Sequence, residues 1–161
     1  MPDLDILRGK RILAVDDEPD VLDTIKELLA GCHVTVAMDA ETAKNLILSE
    51  PFDLVILDIM GVNGFVLLEF CTAHHLPAAM LTAHAITTES VEKSLMLGAV
   101  SFLPKDELVR LPELVAEILG ELAEGRSHWR KLFQRLGPWF SERLGLNWED
   151  LEKPRTPPYT Y

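Results

Sequence analysis

Residues 12–17 have the sequence ILAVDD, in which four apolar residues lead directly into the carboxylates Asp16 and Asp17. Three further short apolar runs also end at a polar side chain: Leu54–Leu57 at Asp58, Ala78–Leu81 at Thr82, and residues 100–104 at Lys105. Such runs, when they alternate with helical patterns, are typical of buried parallel strands. The carboxyl ends of these strands form the binding crevice of an open α/β sheet. We therefore expect three carboxylates, a hydroxyl and an amine to meet at one sheet edge, where they can handle a divalent cation and a phosphoryl group.

The whole pattern predicts five strand–helix units. The expected strands are residues 11–17, His33–Met38, Leu54–Asp58, Ala78–Thr82 and Ala99–Pro104. Five helices are expected. The first begins at Glu18-Pro19-Asp20, the second covers Ala40–Leu48, and the third follows the turn Asn63-Gly64. The fourth lies near Thr88–Leu97, and the fifth has Pro112 in its first turn and an apolar stripe that ends at Leu122. Five such units predict a doubly wound, flavodoxin-like α/β fold with a five-stranded parallel sheet of order 2-1-3-4-5 and five helices.

Composition excludes several classes of protein. The 161 residues are 48% hydrophobic and 25% charged, which is ordinary for a globular protein. No run approaches the roughly 18 to 20 apolar residues of a membrane span, and the acidic residues near the start do not suit a signal peptide. Cys32 and Cys71 have no ligand spacing around them. We expect them to be free thiols in a reducing cytoplasm.

Charge is distributed unevenly along the chain. Residues 1–125 contain 8 lysines and arginines against 22 aspartates and glutamates, whereas residues 126–161 contain 7 against 4. Because an acidic body repels nucleic acid, DNA binding would be confined to the short basic tail, and we expect none.

The character of the sequence changes after Gly125, which divides the chain into three expected parts: a domain at 1–125, an amphipathic helical extension at 126–146, and a mobile proline-rich tail at 147–161. In the extension, Trp129, Leu132, Phe133 and Leu136 share one helical face. We expect Gly137-Pro138 to interrupt that helix. The aromatic stripe predicts either packing against the domain or docking of a partner.

Residues 11–122 resemble the receiver domain of two-component response regulators. The resemblance rests on four motifs in receiver-like order: LAVDDEP at 13–19, LDIM at 57–60, LTA at 81–83, and GAVSFLPK at 98–105. It implies that Asp58 accepts a phosphoryl group from a histidine of a partner kinase. It also implies that Mg²⁺ is held by Asp16, Asp17, Asp58 and the backbone carbonyl of Met60.

The resemblance also assigns the residues that respond to the phosphoryl group. Thr82 and Lys105 would each bind a phosphoryl oxygen, and Phe102, three residues before the lysine, would be the switch residue. Met60 and His84 hold the two positions that tune water access to the phosphoryl group. Family members commonly have a Met-Pro pair and a loop about two residues longer after the phosphoacceptor, so the shape of the loop Ile59–Asn63 is left open.

The expected output of such a chain is protein contact, because residues 126–161 are too few for a DNA-binding domain with its own core. A stand-alone receiver would be phosphorylated by a sensor histidine kinase or phosphotransfer protein and would act on a downstream protein or form a homodimer. It would not be an enzyme beyond its own phosphorylation and dephosphorylation. Two alternatives remain open: a non-phosphorylated dimer scaffold, and a membrane-surface module that uses the C-terminal amphipathic helix.

Overall fold

The computed structural model describes residues 3–83, 87–126 and 128–145. Five parallel strands form one sheet in the order β2-β1-β3-β4-β5. They are β1 (Arg11–Val15), β2 (His33–Ala37), β3 (Leu54–Asp58), β4 (Ala78–Thr82) and β5 (Ser101–Pro104). This order confirms the predicted flavodoxin-like fold.

Six α-helices accompany the strands in the described part of the chain. They are α1 (Pro19–Leu28), α2 (Ala40–Ser49), α3 (Gly64–Ala73), α4 (Thr88–Met96), α5 (Leu111–Ala123) and α6 (Trp129–Leu144). Short 3-10 helices cover Leu4–Leu7 and Lys105–Arg110. Helix α1 contacts α5, and α2 contacts α3, so these two pairs belong to different sides of the sheet. The first five helices match the predicted units.

Local chemistry accounts for the boundaries of these elements. All residues of β3 and β4 are buried, which explains why both strands are continuous apolar runs. Pro19 opens α1, where its missing N–H costs no intrahelical hydrogen bond. The Asp39 side chain caps α2 by accepting the Thr42 N–H at 2.8 Å. Strand β5 begins at Ser101 rather than at the predicted Ala99, and β1 ends at Val15 rather than at Asp17.

The direction of strand order changes at β1, which pairs with β2 on one side and β3 on the other. Such a change opens a crevice at the carboxyl ends of the two central strands. Asp16 follows β1 and Asp58 ends β3, so the fold brings both carboxylates to this crevice.

The expected interruption at Gly137-Pro138 is wrong, because α6 continues through both residues to Leu144. Pro138 has no backbone N–H to donate to the carbonyl of Gln134. Gln134 and Pro138 are both exposed, so water can bind that carbonyl instead. Trp129, Leu132, Phe133 and Leu136 are each no more than 5% exposed, so burial of this face compensates for the proline. In the described ranges, no helix has the length and apolar character needed to cross a membrane.

Candidate functional site

Asp16 and Asp58 form the buried centre of the candidate site. The side chain of Asp16 is fully buried, and Asp58 is 5% exposed. One oxygen of Asp16, Oδ1, accepts the backbone N–H of Glu18 at 2.9 Å. This bond orients the carboxylate at the end of β1, immediately before Pro19 begins α1. Two carboxylates that are this deeply buried require nearby positive charge.

Lys105 supplies that charge from the end of β5. Its Nζ lies 2.9 Å from Oδ2 of Asp16, 3.5 Å from Oδ1 of Asp58 and 3.3 Å from Oε1 of Glu18. The lysine side chain is only 14% exposed, so these charges interact with little screening by water. The predicted convergence of the carboxylates and the amine is therefore observed for Asp16, Asp58 and Lys105.

Burial and charge shift the titration of the two central groups. Desolvation raises the pKa of Asp16, and the Glu18 amide and the Lys105 ammonium offset only part of this effect. Burial alone would lower the pKa of Lys105, but the nearby carboxylates of Asp16, Asp58 and Glu18 outweigh it and raise that pKa. The lysine thus remains charged at neutral pH.

The short loop after β3 positions the second oxygen of Asp58. The backbone N–H of Gly61 donates to Asp58 Oδ2 at 3.1 Å. A Cβ atom on Gly61 would lie 2.3 Å from the carboxylate of Asp17, so glycine permits Asp17 to lie against the loop. The loop ends at Asn63, whose φ of 55° is left-handed, and α3 begins at Gly64. A Cβ on Gly64 would lie 2.3 Å from the backbone oxygen of Asp58.

The carboxylates beside β1 fit a divalent cation. Ligand oxygens of Asp16, Asp17 and Glu18 lie within 4.8 Å of one another. Within the described ranges, the buried Oδ2 of Asp16 has no well-directed hydrogen-bond donor, since the Lys105 ammonium is near but poorly aligned. An all-oxygen site with one buried and two exposed carboxylates suits Mg²⁺, which retains several waters. Sequence reasoning did not assign Glu18 to the site, although it directly follows the Asp16-Asp17 pair.

The remaining predicted residues differ in their placement. Thr82 ends β4 and is 5% exposed, with a long 3.4 Å contact from its hydroxyl to the Ala83 carbonyl. The Met60 side chain is 83% exposed, and His84 lies outside the described residues. Their proposed effects on water access remain predictions, as do the contacts of Asp16, Asp17, Asp58 and the Met60 carbonyl to a metal.

Phe102 is fully buried beneath the C-terminal helix. Its ring centroid lies 6.2 Å from that of Trp129, the first residue of α6. This contact was not predicted, because the amphipathic pattern of α6 shows that one face is buried but not which surface buries it. The buried face also disfavours the membrane-surface alternative, since the apolar side chains that would enter lipid pack on the domain.

Comparison with known proteins gives consistent results. Residues 12–118 match the family model for the response regulator receiver domain. The chain is 42% identical over 124 residues to the transcriptional regulatory protein CpxR of Klebsiella pneumoniae, covering 74% of this chain and 51% of that protein. It is 42% identical over 103 residues to the two-component response regulator ARR18 of Arabidopsis thaliana, covering 60% of this chain and 16% of that protein. The chain thus spans about half or less of the length of these relatives.

A solved structure supports the same assignment. The CheY-like response regulator receiver domain protein from Methanospirillum hungatei is similar with a TM-score of 0.67 and 31% identity. The match covers 73% of this chain and 98% of that one. The part of this chain that follows the matched family model includes α6, which adds a helix to the five of the predicted fold.

Proposed function

This chain belongs to the response regulator receiver family, and on that premise we propose that it accepts a phosphoryl group on Asp58 from a histidine of a partner protein. The observation that carries the proposal is the position of the Asp58 carboxylate. One oxygen accepts the Gly61 N–H at 3.1 Å, and the other lies 3.5 Å from the Lys105 ammonium. The group is thus oriented by one donor and placed beside a cation at a crevice, as a nucleophile for phosphoryl transfer requires.

The transfer is written as a displacement at phosphorus. An oxygen of the ionised Asp58 carboxylate forms the new P–O bond while the P–N bond to the partner's histidine breaks. The electron pair of that bond returns to the imidazole ring, which takes up a proton from solvent. Because such transition states are loose, the protein's contribution is positioning and neutralisation of charge. Lys105 supplies a permanent positive charge that can approach the oxygens of the transferred group.

Asp16, Asp17 and Asp58 are the residues that would hold Mg²⁺, and Glu18 lies close enough to assist. Bound there, the cation would neutralise negative charge on the phosphoryl oxygens. The contribution of the chain is to keep Asp16 buried and oriented by the Glu18 amide. It also keeps Asp17 against Gly61, next to the phosphoacceptor.

The consequence of transfer is signalling rather than turnover of a substrate. A phosphorylated Asp58 gains negative charge and acceptor oxygens, to which the Thr82 hydroxyl and the Lys105 ammonium can bind. The partners that suit this chemistry are a sensor histidine kinase or phosphotransfer protein upstream, and a protein target or second copy downstream. The cytoplasm suits such partners and the two free thiols.

Intact-mass spectrometry tests the proposal directly. The protein is incubated with Mg²⁺ and acetyl phosphate, beside the variants Asp58→Asn and Asp23→Asn. Asp23 is an exposed carboxylate of α1 and serves as the matched control. We expect one added phosphoryl group in the wild type and in Asp23→Asn, and none in Asp58→Asn. If none of the three proteins is modified, the proposal fails and a scaffold role takes its place. If Asp58→Asn is modified as fully as the wild type, the proposal also fails, because the acceptor is then another residue.

A further inference from the structure

We propose that α6 is a displaceable strap across β5 and α5, and that phosphorylation of Asp58 weakens its docking. This inference rests on the proposed function, because it needs the phosphoryl group at Asp58. It concerns residues beyond the matched receiver region, which ends at residue 118. Three sets of contacts carry it: the bonds of α6 to β5, the ion pairs of α6 to α5, and the position of β5 relative to the site.

The start of α6 is attached to four consecutive residues of one strand region. The contacts are the Trp129 indole N–H to the Ala99 carbonyl at 2.7 Å, the His128 N–H to the Val100 carbonyl at 3.2 Å, His128 Nδ1 to the Ser101 hydroxyl at 2.8 Å, and the Trp129 ring to the Phe102 ring at 6.2 Å. Lys105 follows Phe102 by three residues. The same strand therefore anchors α6 and carries the lysine of the site.

The side of α6 is held to α5 by complementary charge. Glu113, Glu117 and Glu121 are spaced by four residues and form one acidic stripe along α5. Arg135 lies 2.8 Å from Glu113 and also contacts Glu117, while Lys131 lies 2.8 Å from Glu121. Glu117 and Glu121 are largely buried in these pairs, whereas Lys131 is half-exposed and Arg135 is 25% exposed. The two cations therefore already contact water and can be solvated fully when α6 leaves.

The connection between α5 and α6 permits release. Residues 124–128 join the two helices, and Gly125 within them has a φ of +75°, a conformation that glycine adopts without strain. The described apolar contacts of α6 come from its first three turns. Release of the helix therefore breaks its own interface without disrupting the pairing of the five strands.

Phosphorylation of Asp58 alters the surface on which α6 lies. The Lys105 ammonium, 3.5 Å from Asp58, is drawn toward the added charge and pulls on the end of β5. Phe102 pairs in register with Met80, two residues before Thr82 on the same face of β4. When the Thr82 hydroxyl turns to a phosphoryl oxygen, Phe102 can move into the space that it leaves. The Phe102 ring then moves away from Trp129, and α6 loses part of the surface on which it packs.

Thermodynamic linkage makes this effect reciprocal. If phosphorylation weakens α6 docking by some factor, docked α6 must oppose phosphorylation by the same factor. Couplings of this kind commonly amount to about 5- to 150-fold. Linkage constrains equilibria rather than rates. We expect in addition that a loosened α6 speeds transfer, because Phe102 and Lys105 are then freer to adopt the arrangement that binds the phosphoryl group.

The first experiment is hydrogen exchange on the full chain, with and without Mg²⁺ and acetyl phosphate, with intact mass recorded on the same samples. We expect the amides of residues 132–137 to exchange about tenfold faster after phosphorylation. Amides of α2 serve as an internal reference. If the phosphoryl group is added and exchange in α6 is unchanged or slower, this inference is overturned and the proposed function stands. If no phosphoryl group is added, both are overturned.

The second experiment measures the rate of phosphorylation by acetyl phosphate in variants that loosen α6. Arg135→Gln removes the ion pairs to Glu113 and Glu117 of α5, and Leu132→Ala removes a fully buried side chain from the interface. Lys26→Gln makes the same change of charge as Arg135→Gln, at an exposed position of α1. We expect faster phosphorylation in both α6 variants, with the larger increase in Leu132→Ala, and no change in Lys26→Gln. Wild-type rates in both α6 variants would overturn the inference.

Discussion

The Lys105 ammonium lies closer to Asp16 than to Asp58, at 2.9 Å from Oδ2 of Asp16 and 3.5 Å from Oδ1 of Asp58. The lysine thus interacts most closely with Asp16, a residue that the proposed cation would also bind. A cation on Asp16 would weaken the hold of that carboxylate on Lys105. The ammonium would then be free to turn toward the phosphoryl oxygens at Asp58.

Asp16→Asn should make the protein more stable at neutral pH. Burial raises the pKa of Asp16 above its unfolded value, so the ionised form is disfavoured in the folded state and stability falls as pH rises through the window above about 3.8. Removing the charge removes that penalty, and Lys105 keeps Asp58 and Glu18 as partners. We expect a gain of about 1 kcal/mol, the usual size of a single-residue effect, in denaturant unfolding at pH 7.

The pH dependence distinguishes this cause from others. The difference between wild type and Asp16→Asn should shrink as pH falls toward 4, because the wild-type carboxyl then becomes protonated. A difference that stays constant with pH would show that Asp16 acts through packing rather than through its charge.

Mg²⁺ should stabilise the wild-type protein against heat. A ligand that binds only the folded state contributes about 2.7 kcal/mol at 100 times its Kd, which corresponds to about 5 to 10 °C for a domain of this size. We expect this shift in thermal unfolding, with full reversal by EDTA and no shift in Asp16→Asn. An equal shift in that variant would place the cation elsewhere.

The site-bearing strands and the central site residues could be predicted because short apolar runs mark β1, β3, β4 and β5, and each functional residue lies at the end of such a run. Their meeting is then a consequence of parallel topology. Gly61 could not be interpreted in the same way. The close approach of Asp17 depends on the path of a loop that is shorter than is common in the family, and a glycine alone does not show which side chain it admits.

The docking of α6 was beyond prediction for a related reason. An apolar stripe predicts that one face of the helix is buried. It does not show whether lipid, a partner protein or the domain itself buries that face. Glu113, Glu117 and Glu121 would ordinarily be interpreted as a solvated helix face. Their complementarity to Lys131 and Arg135 becomes visible only when the two helices lie side by side.

Gly61→Ala should weaken binding of a divalent cation with little loss of stability. The added Cβ would lie 2.3 Å from the carboxylate of Asp17, which is exposed and can move away at small cost. Displacement of the Asp17 carboxylate takes one proposed ligand from the site. We therefore expect Mg²⁺ to bind about tenfold more weakly, which is the usual size of the loss when the support of a metal ligand is removed. Calorimetry measures this affinity.

Gly120→Ala is the matched control for that substitution. Gly120 lies within α5, and nothing is within 4 Å of an added Cβ. Alanine should therefore stabilise the helix by about 0.5 to 1 kcal/mol and leave Mg²⁺ affinity unchanged. If both variants bind Mg²⁺ as the wild type does, Asp17 is not held in place by Gly61.

The docking of α6 should weaken on mild acidification because His128 is buried as the neutral form. The ring is fully buried, with Nδ1 2.8 Å from the Ser101 hydroxyl and Nε2 3.0 Å from a carboxylate oxygen of Glu117. A neutral imidazole that accepts from Ser101 and donates to Glu117 satisfies both contacts. Desolvation lowers the pKa of His128, and the repulsion of Arg135 adds to this, whereas Glu117 and Glu121 offset part of the shift.

The sign of the pH effect follows from that lowered pKa. Below about pH 6.5 the unfolded chain binds a proton that the folded state resists, so stability is complete above this pH and declines as pH falls below it. Hydrogen exchange of α6 amides, corrected for intrinsic rates, should therefore accelerate as the pH is lowered from 7 to 5.

His128→Gln should be less stable at pH 7 by about 1 kcal/mol, from impaired hydrogen bonding, and should lose most of this acceleration. His33→Gln, at an exposed position of β2, should behave as the wild type. An acceleration that persists in His128→Gln would assign the pH effect to another group.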